Sequence, residues 1–81
     1  MSVLQAYEKL GPEARRLHRE YLDARRAWHE AGRRHFEAEV DYRHGRGTRE
    51  QMEAAGRAVE AAYNAMKAAQ ASAAHAERDP R

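Results

Sequence analysis

Cysteine is absent from this sequence, proline occurs twice, and phenylalanine and tryptophan occur once each. The lack of cysteine removes both the disulfide framework and the thiolate zinc site that commonly staple a small secreted domain. With two serines and one threonine, hydroxyl nucleophiles are few, and no glycine-rich loop follows a strand-like run. No catalytic constellation can be assembled from what remains. Long apolar runs are missing as well. Nothing approaches the ~18 residues of a membrane span, and the opening MSVLQAYEKL has neither the basic nor the apolar region of a signal peptide. Nor does one charge dominate. Fifteen Lys and Arg face thirteen Asp and Glu, a formal net charge of +2, so the basic isoelectric point near 9.3 reflects a few unmatched arginines and not a polybasic chain. Together these absences imply a cytoplasmic protein that is not an enzyme, holds no cofactor or metal, and has no membrane partner.

What is present forms helix. Ala, Arg, Glu, Leu, Met and Gln dominate two stretches, about 12–44 and 48–77, and the one interruption is His44-Gly45-Arg46-Gly47-Thr48. Gly11-Pro12 supplies a stop followed by a proline suited to a first helical turn. Glu13 then faces the positive end of the helix dipole, and Arg43 and His44 face the negative end. Thr48 with Gln51 is the signature of a capping box. A reversal this short forces the two helices to pack antiparallel.

The expected fold is therefore all-α. An antiparallel helical hairpin over 12–77 is preceded by a short N-terminal helical arm over 1–11, capped by Ser2 and Gln5, and followed by a frayed tail over 78–81 containing Pro80. At 1.5 Å per residue each long helix would extend roughly 45 Å, a rod and not a globule. Two helices are near the lower limit of what one core stabilises, and with disulfides excluded the remaining staple is oligomerisation. The hairpin is expected to pair into a homodimeric four-helix bundle.

Heptad spacing defines the faces. In the first helix Leu10, Leu17, Ala24, Ala31 and Ala38 form one row, and Ala14, Tyr21, Trp28, His35 and Tyr42 an adjacent one. In the second, Met52, Val59, Met66 and Ala73 alternate with Ala55, Ala62, Ala69 and Ala76. These rows predict one seam, with aromatic bulk on the first helix laid over the alanine-lined second. A further row, Leu22, His29 and Phe36, is not absorbed by that seam. It should face a second hairpin, another protein, or the N-terminal arm folded back. With Arg25 and Trp28 beside it, this row is the expected partner-binding surface, since Trp and Arg are enriched at interface hot spots.

The arginines point less clearly. Arg19, Arg26 and Arg33 also repeat by heptads, but Asp23, Glu30 and Glu37 follow each by four residues, and Glu30–Arg34 and Glu39–Arg43 have the better orientation for helical ion pairs. The stripe is expected to be largely self-neutralised. Arg15, Arg16, Arg46 and Arg49 are the candidates for an anion contact, and a dimeric nucleic-acid binder using the helix and turn arginines is the alternative function.

Five histidines offer no pair at helical metal spacing, and Asp41 with His44 has no matching histidine opposite, so no metal site is expected. His35, in the seam row, is expected to be half-buried. The functional expectation is a small helical adaptor, regulator or inhibitor that binds a larger, unidentified protein, a format found among proteins of phages and other mobile elements.

Overall fold

A computed structural model describes residues 11–78 of the chain, and the side chains as far as Ala76. Residues 1–10 of the expected arm over 1–11 and residues 79–81 of the expected tail over 78–81 lie outside the described residues, and Arg78 is the last residue of the second helix. Helix α1 spans Pro12–Arg43 and helix α2 spans Arg49–Arg78, and the two pack against each other as a hairpin.

Both inner ends are closed by their own residues. Helix α1 begins after an extended Gly11 (φ −67°, ψ 167°), whose carbonyl accepts from the Arg15 N–H at 2.9 Å. Pro12 in the first turn loses nothing, because an N–H there would have no intrahelical acceptor. At the other end His44 is the C-cap, one residue short of being helical. Gly45 takes the left-handed conformation, φ 73°, which a Cβ would disfavour. Its N–H donates to the Tyr42 carbonyl at 3.2 Å, and the Arg46 N–H donates to the Asp41 carbonyl at 2.8 Å. This is the Schellman pattern, which satisfies two otherwise orphaned carbonyls. Its usual closing hydrophobic contact is replaced here by a charged one, Arg46 Nε to Asp41 Oδ1 at 3.3 Å.

The start of α2 is the expected capping box. The Gln51 N–H donates to Thr48 Oγ1 at 3.0 Å, and the Thr48 N–H donates to Gln51 Oε1 at 3.0 Å. Thr48 therefore caps the helix from outside it. Gly47 between the two caps has no room to spare, since a Cβ there would stand 3.3 Å from the Cβ of Asp41.

The seam follows the heptad rows. Ala14, Met66 and Ala73 are buried, and Leu17, Tyr21, Ala24, Trp28, Ala31, His35 and Ala38 of α1 are half-buried against Met52, Ala55, Val59, Ala62 and Ala69 of α2. Two contacts set its register. Trp28 meets Tyr63, ring centroids 5.5 Å apart, and one heptad further along α1 the His35 ring lies over Gly56, one heptad back along α2. Tyr42 was expected to close this row, yet it is 42% exposed. The register sets it level with Arg49, at the very start of α2, where the facing helix only begins.

The result is a rod with extents of 54 × 21 × 15 Å. A layer two helices wide buries little: among the described residues no side chain falls below 2% exposure. The accessible surface is 6479 Å², against roughly 5,000 Å² for a compact chain of this mass.

Candidate partner-binding face

Four large apolar side chains are exposed among the described residues: Leu22 at 42%, Phe36 at 65%, Tyr42 and Tyr63. At 100° per residue Leu22, His29 and Phe36 form a single row along α1, turned about a quarter of the helix circumference away from the seam. The ring contacts show which side of the hairpin this is. His29 lies against Trp28, centroids 5.0 Å apart and planes tilted by 42°, and Trp28 in turn meets Tyr63. Leu22, His29, Phe36 and Tyr63 thus belong to one broad face spanning both helices.

The opposite side of α2 differs in relief. It exposes Ala54, Ala58, Ala61, Ala65, Ala68 and Ser72, with no side chain large enough to anchor a partner. On α2, exposed apolar bulk lies on the Tyr63 side.

Of the residues expected to bind a partner, Leu22, Arg25, His29 and Phe36 are exposed, and Trp28 is half-buried. The indole lies between His29 and Tyr63. It therefore braces the face from below while still reaching its edge. Tyr63, the contribution of α2 to this face, was expected only as a flank of the seam. Its spacing from Met66 and Ala62 is ordinary for a seam neighbour, and only the packed register shows that it stands against Trp28.

The expected anion contacts are mostly answered within the chain. Arg16 bonds Glu20 at 2.9 Å and Glu13 at 3.0 Å. The hydrogen bond it donates to Glu13 and the charges of Glu20 and Glu13 hold its guanidinium above its ordinary pKa. Arg46 pairs with Asp41 at 3.3 Å and Arg49 with Glu53 at 2.9 Å. Among the described residues only Arg15 of the four is outside an ion pair, and its Nε is shielded from water without a hydrogen-bond acceptor there.

The charge ladder along α1 turns out otherwise than the spacing implied. Among the described residues none of Arg19–Asp23, Arg26–Glu30, Arg33–Glu37, Glu30–Arg34 or Glu39–Arg43 closes to ion-pair distance. The pairs that do form are at the helix ends and the turn. On a solvated helix flank the gain from contact is a few tenths of a kcal/mol, about what ordering two long side chains costs, so the groups stay in water.

His44 and Asp41, the nearest approach to a metal motif, are both absorbed into the turn: the Asp41 carboxylate holds Arg46, and the His44 N–H donates to the Val40 and Asp41 carbonyls. No helix among the described residues is long and apolar enough to cross a membrane. Comparison with protein-family models, curated proteins and solved structures finds no match to this chain.

Proposed function

We propose that this protein is a non-enzymatic protein–protein interaction module that pairs with itself through the Leu22, His29 and Phe36 row, forming a homodimeric four-helix bundle. In this form it serves as an adaptor, regulator or inhibitor of a larger protein, in the cytoplasm. One observation carries the reading: Leu22 and Phe36 are 42% and 65% exposed on a face with a rigid aromatic floor, Trp28 against Tyr63. Removing two such side chains from water is worth about 2–4 kcal/mol at 25 cal/mol per Å², and a second layer of helices would convert a half-buried seam into a core.

Light scattering on a size-exclusion column, across protein concentration and at low and high salt, tests this directly. The expected result is a dimer that barely responds to salt, because its contacts are apolar. Leu22→Glu combined with Phe36→Glu should abolish it while circular dichroism still reports the hairpin. Unchanged association in that variant would overturn the assignment of the face.

A second reading draws support from the open ladder. With Arg19, Arg26 and Arg33 outside ion pairs, a basic stripe is presented to solvent, and with Arg15, Arg16, Arg46 and Arg49 it could track phosphates. Carboxylates one turn from each arginine weaken that attraction. Nucleic-acid binding would show as an affinity that falls steeply between 50 and 200 mM salt, the range over which several phosphate contacts are lost.

A further inference from the structure

Resting on the reading that the chain pairs with itself, we propose that two copies meet antiparallel across a dyad at His29 and Tyr63, α1 lying along α1 of the second copy with the turns at opposite ends.

An isologous contact imposes a condition on sequence: whatever residue i meets, the partner position must meet in return. The exposed row of α1 satisfies it. Leu22, His29 and Phe36 follow one another by heptads, and the order apolar, imidazole, apolar reads alike from either end. With the dyad at His29, Leu22 of one copy packs on Phe36 of the other, twice.

The α2 edge of the same face meets the condition independently. Tyr63 is level with Trp28 and His29, so it shares their dyad. Glu60 and Lys67 then stand on either side of it, and the two-fold sets each against its opposite in the second copy. Glu60 makes no ion pair among the described residues, and Lys67 bonds only the amide of Gln70, at 3.3 Å. The other closed arrangement, with the two-fold along the rod and the turns at one end, sets α1 against α2 of the second copy. The hairpin register then sets Lys67 level with Ala24, between Asp23 and Arg25, and leaves Leu22 and Phe36 level with Ala69 and Ala55, so that neither large apolar side chain meets another.

Area is sufficient. A face of 54 by 21 Å projects to on the order of 1,000 Å², above the ~800 Å² per partner of a standard interface.

The absence of cysteine makes the test clean, since one introduced thiol is the only thiol. His29→Cys places two sulfurs at the dyad, where facing Cα atoms on packed helices come within disulfide reach. Under mild oxidation essentially all of that variant should run at doubled mass without reductant. A mixture of Leu22→Cys with Phe36→Cys chains should give the mixed disulfide in preference to either self-disulfide, which keeps the test decisive if His29→Cys disturbs the centre. Ala61→Cys, on the opposite face, should remain uncrosslinked. A dimer by light scattering that fails to crosslink in both experiments overturns the antiparallel dyad and leaves the homodimer standing. A wild-type chain that is monomeric at every concentration overturns both.

Discussion

His35 occupies the space that a side chain at Gly56 would need: a Cβ built on Gly56 stands 3.4 Å from the imidazole Nε2 and 3.7 Å from Cδ2. The ring of one helix is thus received by the missing side chain of the other. A single methyl fits at ordinary contact distance. Gly56→Ala should therefore raise stability by up to about 1 kcal/mol, by removing the glycine penalty of a helix interior. Gly56→Leu must displace the ring and should lower stability by about 1–3 kcal/mol. Urea unfolding followed by circular dichroism separates the two, and equal stability of both variants would mean that His35 does not fill this place.

Trp28 and Tyr63 pack as a tilted pair across the seam, planes 50° apart. Truncating Trp28 to Ala should destabilise the hairpin by about 2 kcal/mol, less than for a fully buried tryptophan because the indole is only half-buried. A double-mutant cycle with Tyr63→Ala should return a coupling of about 0.5–1.5 kcal/mol, the range for aromatic pairs. Coupling indistinguishable from zero would contradict the register.

The turn depends on backbone conformation more than on charge. Gly45→Ala forces a Cβ into the left-handed region and should lower stability by about 1–2 kcal/mol. Thr48→Ala removes one half of the capping box and should lower it by about 1 kcal/mol. Arg46→Ala breaks only an exposed contact to Asp41 and should change stability by no more than about 0.5 kcal/mol. Thermal melts of the three variants give the order directly, and an Arg46 effect exceeding that of Gly45 would reverse this account.

Because the α1 ladder stays open, its carboxylates contribute little to the fold. Asp23→Asn, Glu30→Gln and Glu37→Gln should each alter stability by less than about 0.5 kcal/mol. The triple variant should instead gain affinity for a polyanion such as heparin, since three repelling charges beside the arginines are gone. A melting point that collapses in the triple variant would show that the ladder closes in solution.

The parts of the structure readable from sequence are those governed by near neighbours. Gly11-Pro12, the glycines of the turn, and Thr48 with Gln51 act over four or five residues, so the helix ends were legible to within a residue. Heptad spacing likewise marked which residues turn toward the other helix. Less was legible where the outcome is a close balance. Spacing allowed ion pairs all along α1. Those of Arg16 near its start form while the five along its middle and end stay open, because an exposed pair gains about what ordering its side chains costs. Tyr42 carried the spacing of a seam residue but falls level with the start of α2 and stays exposed.

By itself, then, the sequence determined that two helices form, where they stop, and that they fold back on one another, since capping, glycine conformation and apolar period are all local physics. Only the packed pair decided the register that lays His35 on Gly56 and Trp28 on Tyr63. With that register came the assembly of Leu22, His29, Phe36 and Tyr63 into one face. Periodicity assigns each residue an angle about its own helix axis, but which residues of two helices stand level depends on how bulk and gaps interlock across the seam, and that is a property of both helices at once.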